Sequence, residues 1–273
     1  MTPRLIRQIV IAVIFITVLG SGSYWYYSSL QVVPTCEDNV QNGIEEGVDC
    51  GTVACGRACE PELVPLEVKT NNLLKIGLQD YDFAAEVFNP NRDYGSAESA
   101  YELILLNKDG QEVAKKAGVF YILPGQVKYV IITAISTTAE AVSAKFNIRS
   151  ARWEKLGSLE GMNFLVKNKT YNVLQGGTVS ELKALVVNNS DYDFAKVDIG
   201  IILFNDGNKI LAVNKTDVRT LLTKTERAIE VRWAFPVRGT VNRIDFEIST
   251  NLFDNLNYIK RYGSPSEKFQ KYY

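Results

Sequence analysis

From Gln8 to Cys36 the sequence carries no charged side chain, and the run ends on the first of four clustered cysteines. Ile9 to Gly20 reads IVIAVIFITVLG and Ser21 to Leu30 continues as SGSYWYYSSL. A helix of about 20 residues crosses the hydrocarbon core of a bilayer, so residues 8–30 are long enough to span one. Arg4 and Arg7 precede the run and hold residues 1–7 in the cytoplasm. Tyr24, Trp25, Tyr26 and Tyr27 fall where an aromatic belt meets the far interface. The expectation is a single-pass signal-anchor, with the N-terminus cytoplasmic and residues 36–273 extracytoplasmic. The alternative is a cleaved signal peptide, with small residues near Gly20, Gly22 or Ser23. The aromatic cluster that follows suits an interface anchor better than a mature N-terminus.

Residues 34–63 form a second segment. Cys36, Cys50, Cys55 and Cys59 are even in number and follow an export signal, so they are expected to form two disulfides. Three connectivities satisfy the spacing. Glycines at 43, 47, 51 and 56 suit tight reversals, and a segment this short depends on its bridges rather than on a core. A four-thiolate zinc site is the alternative, but the intervals of 13, 4 and 3 residues are not paired knuckles. Calcium is a further candidate: Asp38, Asn42, Glu45 and Asp49, with Asn39 and Glu46 beside them, crowd hard oxygen ligands into a glycine-containing loop. The plainer reading of these acids is solvated turn residues.

The stretch Cys36-Glu-Asp-Asn-Val-Gln-Asn-Gly43, followed by Glu46-Gly-Val-Asp-Cys-Gly51, is similar to a short cysteine motif of bacterial surface proteins. That motif has the form C-x-D-G-x-x-N-G-x-E-T-G-V-D-C-G-G. Asn39 here replaces a glycine, and Glu46 stands where threonine is usual. The resemblance implies an exposed, disulfide-bonded cell-surface segment and says nothing about an activity.

The rest of the chain matches itself. Asp93-Tyr94 recurs as Asp191-Tyr192, LILLNKDGQEVA (Leu103 to Ala114) as IILFNDGNKILA (Ile201 to Ala212), and Lys145-Phe-Asn-Ile148 as Asp245-Phe-Glu-Ile248. Leu66-Glu-Val-Lys69 recurs as Leu165-Val-Lys167. Both copies alternate apolar and polar residues with the period of half-buried antiparallel strands. The inward set predicted for the first copy is Val127, Tyr129, Ile131, Phe146 and Ile148. For the second it is Ile229, Val231, Trp233, Ile244, Phe246 and Ile248, with Glu230, Arg232, Arg243, Asp245 and Glu247 outward. Asn107 to Gly110, Asp206-Gly207 and Pro124-Gly125 supply turn chemistry. Thr133 to Val142 is the only candidate for a short helix after the anchor.

About seven short strands per copy point to a mainly β fold: two tandem antiparallel immunoglobulin-like sandwiches, residues 64–155 and 162–252. Val186 to Ala212, with its Asn-Asn-Ser, a strand and an Asp-Gly hairpin, resembles the bacterial FxLYD-type sandwich modules. The Leu-Tyr-Asp of those modules falls on Leu203 to Asp206. The join Trp153 to Asn163 has two glycines and is expected to hold the sandwiches end to end with limited hinging. Residues 256–273 form a basic, aromatic tail suited to an acidic or aromatic partner, or a frayed terminus.

Composition removes several classes of work. The chain has no histidine, so the commonest general acid–base residue is missing, as are Ser–His and Cys–His pairs. Thirty basic against 31 acidic residues give no field to recruit nucleic acid. Glu140, Glu154 and Asp245 form no recognisable constellation for sugar hydrolysis, and Trp153 and Trp233 read as core rather than sugar platforms. Neither a catalytic residue nor a small-molecule substrate is predicted. The expectation is a non-catalytic binding or scaffolding protein of the cell envelope, its partners the membrane and other envelope proteins. The alternatives are a subunit of a secretion, pilus or cell-wall assembly complex and an accessory sugar-binding protein.

Overall fold

A computed structural model describes residues 3–30, 36–53, 55–57, 59, 62–156, 162–254 and 258–259. The chain divides at Glu62 into two units, Met1–Glu62 and Leu63–Tyr273.

In the first unit, helix α1 (Pro3–Leu30) contains a stretch, Ile6–Tyr27, that is long and apolar enough to cross a membrane. Its hydroxyls turn back onto the helix: Thr17 Oγ1 donates to the Val13 carbonyl at 2.8 Å and Ser21 Oγ to the Val18 carbonyl at 3.1 Å. Their polar groups are therefore satisfied without water. After it the cysteines pair as Cys36–Cys55 and Cys50–Cys59, with Cα–Cα distances of 5.1 and 4.9 Å. The bridges interlock, because Cys50 lies inside the loop that the first one closes. Around Gly47 the bridges crowd in, and a Cβ there would meet the sulfurs of Cys59 and Cys50 at 2.9 and 3.0 Å.

The second unit is mainly β, with twelve principal antiparallel strands. The first six are β1 (Glu67–Lys75), β2 (Asp80–Phe88), β3 (Tyr94–Leu106), β4 (Glu112–Ile122), β5 (Val127–Ser136) and β6 (Ser143–Lys155). They form two sheets, ordered β1-β2-β5 and β4-β3-β6. The next six are β7 (Phe164–Leu174), β8 (Val179–Asn188), β9 (Asp193–Phe204), β10 (Ile210–Leu221), β11 (Glu226–Trp233) and β12 (Arg243–Ser249). Their order, β7-β8-β11 and β10-β9-β12, is the same pattern displaced by six strands. Each group closes over its own core. Phe83, Leu103, Leu105, Ile122, Ile132, Ile135 and Phe146 pack in the first. Leu182, Phe194, Ile199, Ile201, Leu203 and Trp233 pack in the second. Trp233 is fully buried, and its Nε1 donates to the Val213 carbonyl at 3.0 Å. A short strand β13 (Tyr258–Ile259) from the tail pairs with β9; the other tail residues lie outside the described set.

Several expectations are corrected. Among the described residues the first sandwich has six strands, with β3 and β6 each unbroken for 13 residues, and the second has seven once β13 is counted on the edge of β9. The helix considered at 133–142 is the end of β5 followed by a bend and irregular chain. The sandwiches also pack side by side through sheet faces rather than end to end. Ala84 and Ile131 of the first and Ile202, Phe204, Ile210 and Val213 of the second form a separate apolar cluster, with Leu74 and Tyr129 against it. On β5 the face assignment is therefore reversed: Val130, Ile132 and Ile135 enter the sandwich core, Tyr129 and Ile131 face the second sandwich, and Val127 is 48% exposed. The residues of the β6–β7 join at 157–161 lie outside the described set. Phe146, Ile229, Val231 and Trp233 are in the cores as expected, with Ile148, Ile244, Phe246 and Ile248 packed against them.

The same turn is built twice from one side chain. Asn89 is fully buried; its Nδ2 donates to the carbonyls of Tyr94 and Leu123, at 2.8 and 2.9 Å, and its Oδ1 accepts from the Asn91 N–H. Asn188 donates likewise to Tyr192 and Leu221, at 2.7 and 3.2 Å, and accepts from the Ser190 N–H. Replacing either by alanine removes four side-chain hydrogen bonds, at about 0.5–1.5 kcal/mol for each. Thermal or urea denaturation of Asn89→Ala and Asn188→Ala is expected to show a loss of about 2–4 kcal/mol. Exposed Glu230→Ala should stay within about 0.5 kcal/mol.

Candidate functional site

Where the sandwiches meet, the outer face of sheet β10-β9-β12 forms the floor of a cleft of 770 Å³ walled by strands β4 and β5. Cross-strand pairing sets Lys215, Gly200 and Glu247 in one row across that floor. Gly200 leaves a gap in the row, and a Cβ there would lie 3.3 Å from Ile131 Cδ1. The side chains flanking the gap reach the free edge of β5. Glu247 Oε2 accepts the Tyr129 N–H at 2.5 Å, and Lys215 Nζ donates to the Ile131 carbonyl at 3.0 Å. An edge strand's exposed amide and carbonyl are thus closed by a carboxylate and an ammonium.

Lys128 completes the arrangement from the first sandwich. Its Nζ lies 3.5 Å from Glu247 Oε1, donates to Ser249 Oγ at 2.9 Å, and sits 3.9 Å from the centre of the Tyr121 ring. The Tyr121 hydroxyl donates to Asp198 Oδ2 at 3.0 Å and lies 3.0 Å from Ser249 Oγ. Lys196 pairs with Asp198 at 2.6 Å. Burial pushes the Lys128 ammonium below the ordinary lysine range and the Glu247 carboxyl above the ordinary carboxylate range, each against the pull of the other's charge. The Tyr121 hydroxyl is pushed well up, first by burial and then by Asp198. Tyr129 is pushed up to about 12 by burial and the neighbouring Glu86.

Glu247, expected outward on an alternating strand, is instead covered by the first sandwich, with its side chain 17% exposed. Its neighbour Asp245 is partly buried and paired with Arg243 at 3.1 Å. No signal in a single strand marks Glu247 or Lys128; the run Val130-Ile-Ile132, apolar on consecutive residues, was the available hint that β5 is buried on both faces. Glu140, Glu154 and Asp245 do not come together, since each is held in its own ion pair, with Lys75, Arg152 and Arg243.

In the cysteine segment, Asp38, Asn42, Glu45 and Asp49 do converge on one loop, where backbone amides face several of their oxygens. Asp49 is buried; its two oxygens accept the N–H groups of Asp38 and Asn39 at 3.1 and 3.0 Å. Glu45 Oε2 accepts the Asn42 N–H at 3.0 Å, and Asp38 accepts from the Val40 N–H and from Asn42 Nδ2, both at 2.9 Å. Arg57 Nε donates to the Asp49 carbonyl at 2.7 Å. Donor hydrogens aimed at these oxygens organise the turn and compete with any cation. Glu45 also lies beside the sulfurs of Cys36 and Cys55, which are joined in a disulfide and are not thiolate ligands.

No family model matches the chain. The curated proteins include no match in sequence. Among solved structures, a red sea bream transglutaminase is similar at 13% identity and a TM-score of 0.22, over 72% of this chain and 30% of that one. The chain thus spans about a third of that protein's length, and a likeness this distant carries no function across.

Asp82 lies on the face of β2 that also carries Ala84, and it is buried. Its Oδ1 accepts the N–H of Ala134, which has a positive φ of 56° at a bulge in β5. Burial raises its pKa to about 6, outweighing that hydrogen bond. The fold therefore binds this proton more tightly than the unfolded chain does. Its stabilising contribution is complete below about pH 4 and is lost as pH rises through about 6. Asp82→Asn is expected to be more stable than the natural protein at pH 7, with the advantage vanishing toward pH 4, as read by melting temperature across that range.

Removing one member of the buried pair leaves the other without a counter-charge, at a cost of about 3–5 kcal/mol. Glu247→Ala should destabilise by that order in denaturant titration. The double variant Lys128→Met, Glu247→Leu should recover part of the loss, because two apolar groups replace both charges while the Tyr129 N–H still loses its acceptor.

Proposed function

We propose that the chain is a membrane-anchored, extracytoplasmic binding or scaffolding protein of the cell envelope, without catalytic function. The observation that carries this reading is the succession of a spanning-length apolar helix and a segment closed by two disulfides. Disulfides persist outside the reducing cytoplasm, so the order of the two features supports N-terminus in and residues 36–273 out. The two six-strand groups are immunoglobulin-like sandwiches descended from one repeat, in keeping with their common strand order and matching asparagine turns. Their joined faces suit them to present loops in fixed relation rather than to close on a substrate. The resemblance of the cysteine segment to a surface-protein motif points to exposure at the cell surface.

Protease added to intact cells or spheroplasts is expected to remove residues 36–273 and leave a small anchored stub. A C-terminus protected in that assay overturns the reading. Mass analysis of the released portion without reductant should show two disulfides and no alkylatable thiol.

A further inference from the structure

Three Asn-x-Ser/Thr tripeptides follow the apolar helix: Asn168-Lys-Thr170, Asn188-Asn-Ser190 and Asn214-Lys-Thr216. Outside the cytoplasm this is the pattern at which an oligosaccharide is transferred to an asparagine amide. The pattern by itself ranks none of the three, but the fold does. A glycan is bulky and projects into water, so the amide that carries it has to be exposed and uncommitted. Asn188 is fully buried, and its Nδ2 is spent on the carbonyls of Tyr192 and Leu221. Asn214 is half-buried on β10; its Nδ2 donates to the Arg232 carbonyl at 3.1 Å and its Oδ1 accepts the Lys215 N–H at 2.8 Å.

Asn168 differs on each count. It is exposed, as is Thr170, and among the described residues neither side chain has a hydrogen-bond partner. It lies on β7, the outer strand of sheet β7-β8-β11, where the register with β8 shifts between Lys167 and Thr170. A bulge of this kind bends its strand and re-aims the side chain it carries. The φ of Asn168 is 51°, a left-handed conformation that asparagine adopts more readily than most side chains. The strand around it also has something to gain from cover. β7 is 11 residues long with no acidic residue, and Leu165, Val173 and Leu174 are 44%, 60% and 37% exposed. A long free edge with apolar residues in water is a template for pairing with another chain. A glycan at position 168 stands midway along that edge.

We infer that Asn168 is the N-glycosylation acceptor of this chain, and that its glycan shields the free edge of β7. The donor is a lipid-pyrophosphate-linked oligosaccharide. A C–N bond forms between Asn168 Nδ2 and the anomeric carbon of the first sugar, and the C–O bond from that carbon to the pyrophosphate breaks. The lipid pyrophosphate leaves with the electron pair, and one amide proton passes to a base of the transferase. Position 166 is a valine, so the transferase reads the tripeptide without an acidic residue before it. This inference rests on the reading of residues 36–273 as extracytoplasmic.

The test uses the full-length protein purified from its own membranes. Peptide mass mapping, before and after an amidase that cuts the sugar–asparagine bond, is expected to find sugar on Asn168 and none on Asn188 or Asn214. Thr170→Ala should abolish the modification, Thr170→Ser should keep it, and Thr216→Ala should leave it unchanged. On warming, the amidase-treated protein should aggregate at a lower temperature than the untreated one, and Val173→Lys should remove that difference. An unmodified Asn168, or sugar on Asn188 or Asn214 in its place, overturns the acceptor; aggregation indifferent to removal of the sugar overturns the shield. Protease added to the same cells tells the two failures apart: an unmodified Asn168 with residues 36–273 open to cleavage refutes this site alone, whereas residues 36–273 protected refute the envelope reading and the site with it.

Discussion

The row Lys215–Gly200–Glu247 is where two sandwiches become one unit. A strand at the edge of a sheet has amide and carbonyl groups that need partners. β5 pairs with β2 on one side, and on the other its Tyr129 N–H and Ile131 carbonyl meet Glu247 and Lys215. Ile131 can come this close because position 200 has no side chain; its Cδ1 would lie 3.3 Å from a Cβ there. Once the faces meet, Glu247 loses water and needs Lys128, and Lys128 in turn needs Ser249 and the ring of Tyr121. Each polar group in the contact is there because another one had to be satisfied.

Buried charge of this kind contributes little net stability, since desolvation offsets the attraction. What it supplies is position. The apolar cluster of Ala84, Ile131, Ile202 and Phe204 would tolerate some sliding of one face over the other. A carboxylate 2.5 Å from a particular amide and an ammonium 3.0 Å from a particular carbonyl would not. The two sandwiches are therefore held in fixed relation.

Within each sandwich the corresponding organiser is a buried asparagine. From the end of a strand in one sheet, Asn89 and Asn188 each tie together the ends of two strands of the other sheet through two carbonyls. Their signal was present in the sequence as Asn89-Pro-Asn91-Arg-Asp-Tyr94 and Asn188-Asn-Ser190-Asp-Tyr192. The Asp-Tyr half of it reads as part of the repeat, whereas the asparagines read as loop residues. Asparagine is common in solvated turns, and only burial separates the structural ones from the rest. In the cysteine segment Asp49 plays a similar part, since its carboxylate takes two backbone amides of the loop that the disulfides enclose.

By itself the sequence determined the apolar helix, the pairing of cysteines as disulfides, the mainly β class, the faces of β11 and the core-facing side of β12. Those features rest on local composition and on alternation along one strand, with one face dry and one wet. It could not determine that Cys36 joins Cys55, which depends on how the loop folds. Nor could it assign the faces of β5. Val130, Ile132 and Ile135 are buried in one core, and Tyr129 and Ile131 against the neighbouring sandwich, so both faces are apolar and alternation carries no information. Glu247 escapes that alternation for the converse reason: it alternates as a surface residue does, and the other sandwich covers it. Burial against a second body is a property of the assembled chain, and no window along one strand contains it.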